Sequence, residues 1–119
     1  MEKLNILTFP THPRYDSLMD NVGHNFYRVP HWDAHDLFGH KEALEKFDGV
    51  EFDLIMSQNK EAHYPNAASL QRDLNIPIIS LEHTLPRPEW QKNVLDHYEG
   101  KSGEMNVYIS DFSARAWGV

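Results

Sequence analysis

The chain has 119 residues, a net charge of −7, 40% hydrophobic and 12% aromatic residues, and no cysteine. That length fits one domain with a single modest core. The acidic balance argues against non-specific nucleic-acid binding, which needs a basic surface, and the lack of cysteine excludes disulfides and thiolate metal sites.

In chain order, residues 4–9 carry Leu4, Ile6, Leu7 and Phe9 and are closed by Pro10, which predicts a buried first strand. Residues 14–22 place Tyr15, Leu18, Met19 and Val22 at helical spacing, and Gly23 stands where a helix C-cap belongs. Residues 26–29 predict a second strand, stopped by Pro30. Residues 31–41 show no clean period and read as a loop or a short turn of helix; 43–47 predict another helical turn. Residues 52–56 predict the third strand, and 66–74 a helix with Ala67, Leu70 and Leu74 on one face. Residues 76–81 predict the fourth strand, with Pro77 tolerable at its start. Residues 88–98 predict a helix with Trp90, Val94, Leu95 and Tyr98 on one face, and Pro88 suits its first turn. Residues 105–109 predict the fifth strand, after which Asp111 or Ser113 is expected to cap a final helix.

These strands are continuous apolar runs separated by helices, the pattern of a parallel sheet covered on both faces. The expected fold is α/β: a Rossmann-like doubly wound, mostly parallel five-stranded sheet with helices on both faces, one domain spanning 1–119. No run approaches the roughly 20 apolar residues of a membrane span. The N-terminus shows no basic segment followed by an apolar one, so a cytoplasmic location is expected.

In such a sheet, ligands bind beyond the carboxyl ends of the strands. Thr11, His12 and Arg14 follow the first strand, Ser57, Gln58, Asn59 and Lys60 the third, Glu82, His83 and Thr84 the fourth, and Ser110 and Asp111 the fifth. Loop residues are polar in any case and cap helices, so each set has a structural explanation beside the functional one. Neither a glycine-rich dinucleotide turn nor a phosphate-binding P-loop follows the first strand, and no nucleophile elbow occurs. Arg14 remains able to meet an anion. The segment His31-Trp32-Asp33-Ala34-His35-Asp36, with His40, invites a metal reading, but it lacks a helical period. It reads instead as a surface loop with Trp32 folded onto the body, and no metal site or cofactor is expected. His24, His63 and His97 read as surface or helix-end residues, and Trp90 and Trp117 as core anchors.

Three segments, NILTFPTHPRYDSLMDNVGHNFYRVP, FDLIMSQNKEAHYPNAASLQRDLNIPIISLEHTLPRPEW and MNVYISDFSARAWGV, together resemble the N-terminal domain of GT-B glycosyltransferases of the family-4-like type. The resemblance covers almost the whole chain and is loosest over 31–50. Its most specific piece is PIISLEHTLP, where the family's strand ends in a histidine facing the cleft between two domains. The family carries a glycine-rich loop after the first strand; here that loop is Phe9-Pro10-Thr11-His12-Pro13-Arg14.

The resemblance implies sugar transfer from a nucleotide-sugar donor to an acceptor without a required metal. The N-terminal domain would hold the acceptor, and a C-terminal domain, absent here, most of the donor. By position it implies His83 as the catalytic cleft residue, with Glu82 and Thr84 beside it, Thr11 and His12 in the first loop, and Gln58 and Asn59 opposite. It also implies that the chain stops near the crossover to the donor domain and has little activity alone. Two other classes compete. One is a stand-alone sugar- or nucleotide-binding module. The other is an oligomerising domain that pairs as a homodimer through an exposed cleft face, to which Trp117 and Val119 would belong.

Overall fold

The computed structural model describes residues 2–60, 62–82, 103–108 and 110–117. In chain order the elements are β1 (Asn5–Thr8), α1 (Pro13–Met19) with a 3-10 turn (Asp20–Val22), β2 (Asn25–Arg28), α2 (Leu37–Lys46), β3 (Leu54–Ser57), α3 (His63–Leu74), β4 (Ile78–Glu82), β5 (Met105–Tyr108) and α4 (Asp111–Ala116). The helix expected over 88–98 lies outside the described residues, as do His83, Thr84, Trp90, His97 and Val119.

All five strands pair in parallel in the order β2-β1-β3-β4-β5. The fold is therefore α/β, with an all-parallel Rossmann-like sheet. The chain steps one way from β1 to β2, then crosses back past β1 to β3. That reversal opens a crevice between the carboxyl ends of β1 and β3, the usual ligand position in open α/β sheets.

Side chains alternate across each strand, so each face has its own neighbours. Leu7, Phe9, Val29, Ile55 and Ile78 pack with Ala43 of α2 and with Ala67 and Leu70 of α3. Burying each large aliphatic or aromatic side chain there contributes about 1.5–3 kcal/mol. Tyr27 adds edge-to-face contacts with Phe47 and Phe52, 5.3 and 5.4 Å between ring centres, on the same face. The next residue, Arg28, points the other way and meets α1: its Nε lies 3.3 Å from Asp16 Oδ1 and its Nη1 3.1 Å from Asp20 Oδ1. Helices thus lie on both faces, but unequally, since α1 buries none of its residues.

Several boundaries have local causes. Gly23 adopts φ 94° after the 3-10 turn, the left-handed conformation expected of a glycine at a helix end. Asn75 does the same after α3, at φ 53°, and its N–H donates to the Gln71 carbonyl at 2.8 Å. The loop-plus-turn reading of 31–47 is corrected to the ten-residue helix α2, capped by Asp36, whose Oδ1 accepts from Phe38 N–H at 2.9 Å. The last helix is capped by Ser110, whose Oγ accepts from Ser113 N–H at 3.0 Å, rather than by Asp111 or Ser113. Trp117 is buried, which fits a core anchor and removes it from any exposed face.

Candidate functional site

A cavity of about 290 Å³ opens at the β1/β3 crevice, lined by Pro10, Thr11, His12, Tyr15, His31, Gln58, Asn59 and His63. Among the described residues, no carboxylate, lysine or arginine is in that lining. Three segments build it: the turn after β1, the turn after β3 with the start of α3, and the turn after β2.

The turn after β3 forms the floor. Thr8 Oγ1 donates to the Met56 carbonyl at 2.9 Å and accepts from Gln58 Nε2 at 3.2 Å. Gln58 also donates to the Phe9 carbonyl at 3.4 Å, and its side chain is fully buried. The Gln58 amide therefore ties the ends of β1 and β3 together. Asn59 Oδ1 accepts from the N–H groups of Ala62 at 2.8 Å and His63 at 3.1 Å. It satisfies donors of the first turn of α3 that would otherwise attract an anion.

His63 opens α3 and is buried, so it is a helix-end residue as expected but not a surface one. Its Nδ1 accepts from Gln58 N–H at 3.0 Å. That bond requires a lone pair on Nδ1 and places the proton of the neutral ring on Nε2.

His31 follows β2 and stacks edge-to-face on His63, with ring centres 4.6 Å apart and planes at 83°. It also meets Phe9 at 6.0 Å. Loss of hydration in this packing lowers the His31 pKa, against a smaller opposing effect from its hydrogen bond to the Pro10 carbonyl. The ring is therefore neutral at neutral pH.

In the turn after β1, Thr11 Oγ1 donates to Asp16 Oδ1 at 2.8 Å, and His12 Nδ1 accepts from Arg14 N–H at 3.2 Å. Both contacts help start α1, and both residues also border the cavity. Arg14 does not line it but borders a neighbouring cavity with His12, Tyr15 and Leu18. Glu82, at the end of β4, is buried, and its Oε2 accepts from Lys60 N–H at 3.0 Å. The Lys60 ammonium lies 5.8 Å from the Tyr108 ring and 5.9 Å from the Trp117 ring, so this group ties the ends of β3, β4 and β5 to the final helix.

The crevice therefore brings together Thr11, His12, Gln58 and Asn59 from the sequence reading and leaves Arg14 and Glu82 outside. His83 and Thr84 lie outside the described residues. His31, His63 and Tyr15 are additional. The signal for His31 was available: it stands just past the end of β2, where the strand-end rule applies as it does after the other strands. His63 offers no such signal, because its burial depends on Phe9 and His31, distant in sequence.

The histidines of the 31–40 segment take separate partners. His40 Nδ1 lies 3.0 Å from Ser69 Oγ, and its Nε2 3.0 Å from Asp73 Oδ2. Serine, histidine and aspartate meet here, but Nε2 is without an aligned hydrogen bond despite that distance, and Asp73 is mostly exposed. The backbone around Ser69 is mid-helix, with its N–H groups committed to α3. The group clasps α2 to α3 and lacks the donors an acyl-transfer site needs. Among the described residues, no three histidine, aspartate or glutamate side chains converge as metal ligands. No helix among them is long and apolar enough to cross a membrane.

No protein-family model, curated protein or solved structure matches this chain.

Proposed function

We propose that this chain is the acceptor-side domain of a GT-B glycosyltransferase, holding an acceptor sugar in the β1/β3 crevice while a donor-binding domain supplies the nucleotide sugar. The observation that carries the reading is a cavity at the sheet's switch point whose lining, among the described residues, is uncharged. A sugar is a neutral ring with hydroxyls on its rim and C–H groups on its faces. It is held by uncharged donors and acceptors beside aromatic surface. Thr11, His12, His31 and Asn59 supply the first, and Tyr15 the second. Among the described residues, a free phosphate would find neither a fixed positive charge in this lining nor open N–H groups at Ala62 and His63. The resemblance of the strand-end segments to the family supplies the reaction class. In this reading His83 and Thr84 belong to the site, as the resemblance implies.

The test is a titration of isotope-labelled protein with glucose, galactose, mannose and UDP-glucose, followed by amide chemical shifts. Shifts produced by monosaccharides at Thr11, His12, Tyr15, His31 and His63 support the reading. No response to any sugar at millimolar concentration overturns it. A second reading, a binding module without chemistry, is favoured by three turns of this one chain meeting around the cavity. Tight binding of UDP-glucose by the chain alone would select it.

A further inference from the structure

His31 lies in the segment between β2 and α2, where no secondary structure restrains it. Its neighbour Trp32 is nevertheless fixed three times. Asn66 of α3, itself buried, accepts from Trp32 N–H through Oδ1 at 3.0 Å and donates to the Trp32 carbonyl through Nδ2 at 3.0 Å. Both backbone groups of one residue are thereby held by one amide. The indole is held as well, at 6.0 Å from Phe9 and closely against Gly39 of α2. A Cβ at residue 39 would stand 2.7 Å from the Trp32 Cβ, so a side chain there would displace Trp32.

This anchorage sets the adjacent His31. Its ring donates to the Pro10 carbonyl and rests on His63 and Phe9. It also lines two cavities, the crevice of about 290 Å³ and a space of about 200 Å³ bordered by Trp32, Glu42 and Lys46.

We propose that His31 is the ligand-facing hydrogen-bond acceptor of the crevice and that Asn66, acting through the Trp32 backbone, is the residue that positions it. The inference rests on the crevice being a binding site, but its main tests need no ligand. A neutral imidazole bears its proton on one nitrogen and on the other carries a lone pair suited to a hydroxyl donor. Among the described residues, the titratable groups lining the two cavities around the ring are His63 from α3, His12 and Tyr15 from the first turn, and Glu42 and Lys46 from α2. The last two have opposite charge and sit four residues apart on one helix face, so their fields oppose each other.

Histidine-ring NMR on the full chain tests the positioning. In the wild type, His31 is expected to titrate below its ordinary value of 6.5 and to show a ring contact with His63. In Asn66→Ala the contact should vanish and the midpoint should return to the ordinary value. Gly39→Ala should do the same by displacing Trp32 without touching Asn66, which keeps the test open if Asn66→Ala fails to fold. A folded variant that retains both the contact and the low midpoint overturns the positioning role.

Diethyl pyrocarbonate, which attacks an accessible unprotonated imidazole nitrogen, tests the free lone pair on the wild type. Peptide mapping should show His31 modified and His63 spared; an unreactive His31 overturns the proposal. Where the sugar titration succeeds, His31→Gln should bind the same sugar about tenfold more weakly, the loss of one hydrogen bond. Unchanged binding overturns the ligand contact. A failed sugar titration with His31 behaving as expected would reject the acceptor reading while leaving the positioning intact.

Discussion

Glu104, an exposed residue before β5, has a structural role out of proportion to its burial. Its Oε2 accepts from Ile78 N–H at 2.7 Å and its Oε1 from Gln71 Nε2 at 2.8 Å, joining the starts of β4 and β5 to α3. These bonds favour the charged form, the Ile78 N–H most of all, and hold the carboxyl below its ordinary pKa of 4.5. The unfolded chain lacks them and takes up the proton at higher pH. The stabilisation is therefore complete above pH 4.5 and lost as pH falls through the lowered folded value. Glu104→Gln should shallow the acid limb of the stability curve, read as urea midpoints over a pH series. Parallel curves for variant and wild type would reject the role. His31 acts in the same direction at higher pH. Its folded pKa is depressed, so the unfolded chain protonates first and stability falls as pH drops below 6.5. His31→Gln should remove that component.

At the scale of elements, the start of α3 couples fold and crevice. Asn59 satisfies the N–H groups of Ala62 and His63, and His63 in turn receives the Gln58 N–H. Asn59→Ala should cost about 1 kcal/mol, the usual loss for a helix cap. Hydrogen exchange should accelerate at Ala62 and His63 while Leu70 keeps its protection; uniform acceleration along α3 would mean global destabilisation instead. Asn59→Asp keeps the accepting oxygen and should retain most of the cap.

The same element shows what the sequence could and could not disclose. β1, β3 and β4 were readable because their apolar runs are buried by helices, and Pro10 and Pro30 punctuate β1 and β2; β5 read as a strand although Met105 and Val107 are exposed. The start of α3 was hidden by Pro65, which sits harmlessly in its first turn. α2 was hidden for a different reason: Leu37 and Phe38 face solvent at 73% and 76% exposure, whereas its most buried positions are His40 and Ala43. Periodicity counts apolar residues, so it follows the wrong face. In the crevice, Thr11, His12, Gln58 and Asn59 were legible from topology alone. The His31–His63 stack was not, since it needs Asn66 to hold a loop that carries no pattern of its own.

On the scale of the whole molecule, the two faces of the sheet are held by different forces. The α2/α3 face contains the contiguous apolar core, with Ile55 and Leu70 fully buried. On the α1 face, Tyr15, Leu18 and Val22 remain exposed, and the helix is held chiefly by Arg28 through Asp16 and Asp20. An apolar core resists local opening, whereas a helix held chiefly by polar contacts opens at smaller cost. Leu70→Ala should therefore cost about 2–5 kcal/mol, and Leu18→Ser no more than about 0.5 kcal/mol. Hydrogen exchange gives the sharper test. In the wild type, α1 amides should exchange faster than those of α3. Arg28→Ala should raise α1 exchange further, because two aspartates lose their common partner, and leave α3 unchanged. If α1 and α3 instead exchange together and slow or quicken together in the variant, the two faces form one cooperative unit. Since Tyr15 and His12 border the crevice from this loosely held side, a ligand there would restrain α1. Added sugar should then slow α1 exchange more than that of α3, and equal slowing at both helices would place the binding elsewhere.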